Sequence, residues 1–572
     1  MDKQAAAHVL EQIASFLELK GENEFKVRAF RNAAHAVSGY PGDFAAAVES
    51  GRLGDEKGIG PATMEVVREA ALSGRSRLLD SLRREVPSGL VEMLRIGGLG
   101  VQKIRAIHEQ LGISTVAELE VAARDGRLAA LPRFGRKTAD RILRGVDLLR
   151  RTGDLRLFHH ALRQAEHLRR ELLALPGLSA VEITGSIRRR CEVVRDVDLA
   201  VAGDFDPRRL SDRVAAFTAV RDVVGAGDAA FTVHFEDDTA ADIYCAPPAE
   251  FGHLLLWSTG SAAHLEDLAA RAGERRLSLD ARGLFREGTR VPCPDEASLY
   301  RALELPWIPP ELREGRGEVA QAALGRVPHL VERSDLLGFI HCHTIYSDGT
   351  NSVSEIAAAC RAAGYRYVGI TDHSEAAAFA GGLREETFLR QHEEIDAFNR
   401  SEPDIRVLKG VEADILGDGK LDYGPAFLDS FDFVIGSVHN RLDMDEQQMT
   451  ERVLRAMDDP HFAIMGHPTG RLLLSREPYP MDMERIIERA AERGVALEIN
   501  ADPQRLDLDW RLCQRARAAG VSISIGADAH SVSGLSNIEI GVGIARKAGL
   551  TRPDILNTRD AEGFLAQVRA RR

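Results

Sequence analysis

Apolar residues in the first 150 positions recur at helical spacing, and no stretch alternates with period two, so this part of the chain reads as nearly all helix. Glycine turns punctuate it at Lys57-Gly58-Ile59-Gly60, at Gly97-Gly98-Leu99-Gly100 and, in degenerate form, at Arg133-Phe134-Gly135-Arg136-Lys137. Each turn follows a short helical stretch and precedes another, which makes a weak internal repeat. From about 155 to 175 a helix leads into a strand, Val181-Glu182-Ile183-Thr184, and strands and helices mix to about 300. Residues 303–335 carry Pro306, Pro309-Pro310, Gly315 and Gly317 among alternating charges and read as an interdomain linker. Beyond them, short apolar runs repeatedly end at a histidine or carboxylate. Gly-Phe-Ile precedes His341, Tyr-Val-Gly-Ile precedes Thr371, Phe-Val-Ile-Gly-Ser-Val precedes His439, Ala-Ile-Met-Gly precedes His467 and Ile-Ser-Ile-Gly precedes Ala527. That is the pattern of strand ends opening onto one face of an α/β barrel.

A chain of 572 residues is too long for one core, and three to five domains are expected. No apolar run approaches membrane-span length, and the amphipathic, acid-containing Met1 to Leu19 is not a signal peptide. The six cysteines form no C-x-x-C pair, which fits a reducing, cytoplasmic setting, and with no long apolar run no membrane partner is expected. Net charge is −13, yet residues 1–150 hold 23 Lys/Arg against 20 Asp/Glu, a local +3 that leaves −16 for the rest. Charge therefore neither establishes nor excludes a nucleic-acid partner.

The carboxy-terminal pattern collects His341, His343, Asp348, His373, Glu412, His439, His467, Asp528 and His530. Any one of these alone reads as an ordinary core or surface residue; nine at strand ends read as a multinuclear metal site. Imidazole with carboxylate suits zinc, manganese or iron. A His-x-His pair on extended chain, as at His341 and His343, would put both rings on one side.

Two further constellations carry chemistry. In a helix-hairpin-helix unit the turn glycines take positive φ, and the second helix aims free N–H groups at a phosphate, which fixes position on DNA without reading sequence. Gly58, Gly60, Gly98, Gly100 and Gly135 are the candidates, with Arg133, Arg136 and Lys137 flanking the last. Strand 181–184 ends in Gly185-Ser186, followed by Arg188-Arg189-Arg190 and Asp196-Val197-Asp198. Carboxylates two apart on a strand leave the same face and repel unless a cation sits between them. Asp242 lies on a later strand, and three carboxylates suffice for two Mg²⁺ ions.

Segment 184–201, Thr-Gly-Ser-Ile-Arg-Arg-Arg-Cys-Glu-Val-Val-Arg-Asp-Val-Asp-Leu-Ala-Val, resembles the palm signature of family X DNA polymerases, the DNA polymerase beta family. Trp257-Ser258-Thr259-Gly260-Ser261 resembles that family's thumb-side nucleotide motif, and the His/Asp/Glu set from 341 to 530 resembles the PHP (polymerase and histidinol phosphatase) domain. Gly-Arg-Leu-Leu-Leu at 470–474 and the segment 309–317 are similar to bacterial members that join the two.

The resemblance implies an all-α helix-hairpin-helix region, an α+β nucleotidyltransferase palm and thumb, and an α/β barrel-like PHP domain. The expected boundaries are 1–85 and 86–152 for the helical parts, 153–250 for the palm, 251–315 for the thumb, 316–335 for a linker and 336–572 for PHP. It implies that Asp196, Asp198 and Asp242 hold two Mg²⁺ or Mn²⁺ ions. Gly185, Ser186, Arg189, Trp257, Thr259, Gly260 and Ser261 would meet the incoming dNTP. In the PHP domain up to three Mn²⁺ or Zn²⁺ ions are implied. His341, His343, Glu412 and Asp528 would hold one, Asp348, His373 and His530 a second, and Glu412, His439 and His467 a third, with Glu412 bridging. The implied activities are gap-filling DNA synthesis on gapped or primer-template DNA and metal-dependent 3′→5′ degradation, by a monomer. A PHP nuclease whose weakened polymerase half serves as a DNA-binding arm is the alternative. Five positions depart from the family: Trp257-Ser258 replaces the Tyr-Phe gate near the sugar, Leu265 and Ala269 replace an asparagine and an arginine, and Val66 stands where the beta-type lyase lysine would be.

Overall fold

The computed structural model describes residues 3–570 except 41, 74, 226, 228, 237 and 238. Met1 and Asp2 lie outside the described residues, so the first helix is seen as Lys3–Leu19.

Residues 3–152 are helical among the described residues, as their periodicity predicts. Leu10, Ile13 and Leu17 of the first helix and Ile142, Val146 and Leu149 of the last belong to one contiguous core. The glycine turns divide this region without breaking that core. Val66 lies inside it, 6% exposed.

Seventeen strands follow among the described residues. β1 (Arg156–Leu157) pairs with β3 (Val193–Val194). β2 (Leu178–Ile183), β4 (Val197–Gly203), β5 (Val220–Val224), β6 (Ala230–Phe235) and β7 (Ala240–Ala246) form a sheet in the order β2-β4-β7-β6-β5. Its pairs are antiparallel except β4 with β7, which run parallel. β7 alternates between buried and half-exposed residues, while β4 is buried except at Asp198 and Gly203, so the half-exposed positions on this face include Asp198 and Asp242. A smaller sheet of β8 (Leu277–Asp280), β9 (Gly283–Arg286) and β10 (Thr289–Arg290) packs with helices Phe251–Thr259 and Ala262–Glu274.

The stretch from 303 to 335, expected to be a linker, is instead packed structure. Leu303, Leu305, Ile308, Val319 and Ala322 join the core of this small domain. Arg313 is fully buried because Glu296 accepts from both of its terminal nitrogens, at 2.6 and 3.1 Å. Proline and glycine here shape a tight course over a core and do not mark a loose connection.

β11 (Gly338–Cys342), β12 (Tyr367–Ile370), β13 (Arg406–Asp414), β14 (Phe433–Ser437), β15 (Phe462–Met465), β16 (Ala496–Asn500) and β17 (Ile523–Ala529) close into a seven-stranded parallel barrel. These strands are buried on both sides, which explains their continuous apolar runs. Phe564, Leu565 and Val568 of the last helix, Ala561–Val568, pack with Tyr367, Phe433 and Ile464, so one part of the barrel is filled by side chains. The polar site occupies the carboxyl ends of the strands.

Candidate metal centres and nucleic-acid interface

All nine expected ligands converge at the barrel mouth. His341 lies in β11 with His343 just after it, and Asp348 follows on the next loop. His373 follows β12, Glu412 lies near the end of β13, His439 and His467 follow β14 and β15, and Asp528 and His530 end β17.

Glu412 is the hub. Its carboxylate lies 3.4 Å from His341 Nε2, 3.7 Å from His343 Nε2, 2.9 Å from His373 Nδ1, 3.3 Å from His439 Nε2 and 3.0 Å from His467 Nε2. Three sets of donors are mutually close enough to share an ion: His341 with His343 and Asp528; His343 with Asp348, His373 and His530; and His373 with Glu412 and His439. His343 and His373 thus each stand in two sets, which the sequence did not indicate. His467 reaches Glu412 but stands outside these sets.

Strand alternation is not what aims the His341 and His343 rings. His341 takes φ 62° and Asp528 takes φ 51° at a bulge, where the β11–β17 register shifts between Ile340 and Cys342. Left-handed backbone costs a non-glycine residue about 1–2 kcal/mol, and such outliers cluster at functional sites.

The residues fit metal ions. His341 Nε2 and Glu412 Oε2 are buried and have no hydrogen-bond partner in the protein. Buried carboxylates take the Nδ1 atoms of His341 and His439: Glu498 at 2.5 Å and Asp414 at 2.5 Å. This leaves each Nε2 facing Glu412, and a carboxylate behind a ligating imidazole fixes its tautomer and orientation. Burial opposes charge on His439, but Glu412 and Asp414 outweigh it and push the imidazole up to about 10. His530 is likewise driven up to about 9 against its burial by Asp348 and Asp528. Such an excess of carboxylate charge calls for cations, and bound metal would supply it with the imidazoles neutral.

Asp372, beside His373, is fully buried, and sequence reasoning missed two further supporting acids, Glu498 and Asp414, also fully buried. Asp372 accepts from Thr344 N and Oγ1, Ser347 Oγ and Gln391 Nε2, which pins the loop after His343. The only signal of Glu498 and Asp414 was a lone acid within or beside an apolar run. Arg505, with Nε 3.9 Å from Asp528 Oδ2, is a cation at the site that nothing in its sequence context marked.

The second constellation lies on the palm sheet. Asp198 and Asp242 are direct partners in the parallel register of β4 and β7, and Asp196 immediately precedes β4. Burial, then the charges of Asp196 and Asp242, push the Asp198 carboxyl up to about 7. A divalent cation among the three would remove that repulsion. Tyr244 donates to Asp198 at 3.3 Å and Thr232 to Asp242 at 2.5 Å. Gly185 takes φ 62°, and a Cβ there would come within 1.9 Å of Asp198 Oδ2. Ser186 Oγ beside it is buried without a partner.

The arginines after Gly185-Ser186 differ from expectation. Arg189 binds Glu314 at 3.0 Å and the Thr259 carbonyl at 2.7 Å, while Arg188 binds Glu296 and Thr259 Oγ1. Arg190 lies over the Phe158 ring. Arg189 and Thr259 therefore hold palm to thumb and are already bonded to each other. Ser261 caps helix Ala262–Glu274, Gly260 packs against Leu265, and Trp257 stacks on His253.

The three glycine turns share one geometry. Gly58 and Gly98 take φ 104° and 80°, and Arg133 takes the equivalent left-handed conformation at φ 68°. The next residue, Ile59, Leu99 or Phe134, is buried. Its N–H donates three residues back, to Glu56, Ile96 or Leu131. Gly60, Gly100 and Gly135 then open helices Pro61–Ser73, Val101–Leu111 and Arg136–Thr152 and are exposed. Gly97 lies against Ser475 O, and Arg151 meets Glu477 at 2.8 Å, so the loop after His467 touches the hairpin region.

Hairpin turns, a carboxylate-bearing palm with its thumb, and a histidine-rich barrel define a DNA-processing metalloenzyme of the family X polymerase class. Family models match a helix-hairpin-helix domain at 1–76, a SAM-like helix-hairpin-helix tandem at 90–146, the DNA polymerase beta thumb at 254–314 and the PHP domain at 340–502. The chain is 35% identical over 573 residues to the DNA polymerase/3′-5′ exonuclease PolX of Bacillus subtilis (strain 168), covering 99% of both. It belongs to that family of PHP-bearing PolX proteins. Probable phosphatases of Thermoanaerobacter sp. (strain X514) and Syntrophotalea carbinolica are 29% and 27% identical to 38% of this chain, over 89% and 90% of their own length. Among the described residues no helix is long and apolar enough to cross a membrane.

Proposed function

We propose that this chain fills short gaps in DNA with dNTPs at the palm and removes 3′-terminal nucleotides at the barrel mouth. The observation that supports this best is the presence of two separate constellations: Asp198 and Asp242 paired side by side on the palm sheet with Asp196 just before β4, and the Glu412-centred set of donors on the barrel.

In this reading Asp196, Asp198 and Asp242 hold two Mg²⁺ or Mn²⁺ ions. Gly185 and Ser186 receive the triphosphate beside them, and Trp257, Gly260 and Ser261 shape the nucleotide pocket. Arg189 and Thr259 fix the palm–thumb angle. At the barrel, Glu412, His341, His343, Asp348, His373, His439, His467, Asp528 and His530 would hold Mn²⁺ or Zn²⁺ ions. Bound ions would lower the pKa of the 3′-hydroxyl and neutralise departing pyrophosphate at the palm, and would activate water against a phosphodiester at the barrel. Gly58, Gly60, Gly98, Gly100 and Gly135 present helix N-termini to backbone phosphates and give sequence-tolerant binding.

The domain limits proposed are 1–85, 86–152, 153–250 and 251–324 for hairpins, palm and thumb, with the PHP domain from 336. The intact carboxylates at 196, 198 and 242 favour a working polymerase over a degenerate DNA-binding arm. Primer extension and degradation on a gapped duplex, with Mg²⁺ or Mn²⁺, tests the reading. Nucleotide addition and 3′-end loss are both expected. Phosphate release from small monoesters with no action on DNA would contradict it.

A further inference from the structure

Few large apolar side chains stand exposed among the described residues, and two of them lie on loops at the barrel mouth. Phe379 is 75% exposed and Ile345 59% exposed. The Phe379 ring lies 6.3 Å from the His373 ring and 5.9 Å from the His439 ring, centroid to centroid. It therefore adjoins two metal-site histidines and still presents most of its surface to solvent.

The backbone beneath this ring is held. Ala377 and Ala380, on either side, are 0% and 3% exposed. Ala380 N donates to Ala377 O, Gly382 N to Ala377 O and Leu383 N to His373 O. Gly382 is pressed onto Ser374 O, where a Cβ would come within 2.0 Å. Gly381 lies against Ser347, so this turn abuts the loop that carries Ile345. A short 3₁₀ turn, Ala378–Ala380, thus projects a phenylalanine outward from a packed base. Exposure forgoes most of the burial free energy that a core phenylalanine contributes, so the ring adds little to the hydrophobic core.

An aromatic face beside a phosphoesterase centre suits one kind of occupant. Every nucleobase has a π-face, and stacking on an aromatic side chain tolerates any sequence. We propose that Phe379 is a positioning residue whose ring stacks on the 3′-terminal nucleobase and so sets the scissile phosphodiester at the Glu412-centred site. This rests on the nuclease reading of that site. The ligand chemistry is a nucleotide bearing a base, of any identity; a sugar-phosphate end without a base would gain nothing from the ring.

The test uses the full-length protein with Mn²⁺ and two single-stranded oligonucleotides, one ending in a normal 3′ nucleotide and one in an abasic 3′ residue. Initial release of the terminal residue is measured for the wild type, Phe379→Ala and Phe379→Tyr, with bound metal quantified in each. Phe379→Ala is expected to lose on the order of 10- to 100-fold in kcat/KM on the base-bearing end, mainly through KM. It should stay within about 2-fold of wild type on the abasic end, with metal content unchanged, and Phe379→Tyr should restore the base-bearing activity. Undiminished cleavage of the base-bearing end by Phe379→Ala overturns the proposal. Equal loss on both ends also overturns it, since the ring would then merely support His373 and His439. A wild type that releases neither end overturns the nuclease reading itself, a distinct result.

Discussion

His341 Nδ1 lies 2.5 Å from Glu498 Oε1, and both side chains are fully buried. Glu498 also accepts from the His467 backbone N–H at 2.7 Å and from Asn500 Nδ2 at 3.2 Å. One carboxylate on β16 thus fixes the ring of one ligand and the backbone of another. Glu498→Gln should weaken metal binding at the barrel on the order of 10- to 100-fold. Titration of the metal-stripped protein with Mn²⁺ checks this, and primer extension should survive. Unchanged affinity would show that Glu498 only fills space.

Gly185→Ala should stop nucleotide addition. The new methyl would meet Asp198 Oδ2 and must displace it, and a misplacement near 1 Å costs on the order of 100-fold in rate. Single-turnover extension is the readout, with 3′-end degradation as the internal control. Extension within about 3-fold of wild type would remove Asp198 from the reacting centre, since a displaced ligand cannot leave the rate intact.

Arg133 tests the hairpins. It holds the left-handed turn that glycine holds at 58 and 98. Arg133→Gly should stabilise the helical region by about 1 kcal/mol through relief of that strain, set against the added unfolded-state entropy of glycine. The same change removes a positive charge, so DNA affinity should fall alike for all sequences and its salt dependence should flatten slightly. Denaturant melts and salt-dependent binding separate the two effects; a loss of stability would contradict the equivalence of the three turns.

Glu296 gives a pH dependence. Burial alone would raise its carboxyl, yet Arg313 and Arg188 outweigh that and hold it down at about 2. Its folded pKa is therefore below its unfolded value of about 4.3, so its contribution is complete above that pH and is lost as pH falls toward 2. Glu296→Gln should destabilise the thumb region by about 3–5 kcal/mol near pH 7, because Arg313 is left buried without a counter-charge. The difference from wild type should narrow as pH falls from 5 to 3. A difference that stays constant over that range would mean packing, and not the charge pair, sets the cost.

Much of the barrel site was legible because parallel strands buried on both faces leave apolar runs, and the ligands sit where those runs end. Glu498 and Asp414 were not legible, since a single acid inside a strand shows no partner in sequence. The ion-pair partners of Arg188 and Arg189 were not legible for the same reason. The resemblance implies a dNTP contact for Arg189 and shows no partner for Arg188, whereas Glu314 and Glu296 pair with them from 125 and 108 residues away. The segment 303–335 misled through its prolines, because the pairing of buried Arg313 with Glu296 has no signature in the sequence. The third hairpin was rated degenerate for lacking one glycine, yet Arg133 adopts the required φ and Phe134 fills the buried position.

The claim that one chain carries two independent 3′-end activities is tested most directly by a crossed pair of variants on one gapped duplex with Mn²⁺. Asp198→Ala should lose nucleotide addition and still shorten the 3′ end, and Glu412→Ala should still extend it but no longer shorten it or retain barrel metal. If either variant loses both activities, or neither variant loses either, the two sites do not divide the work in this way.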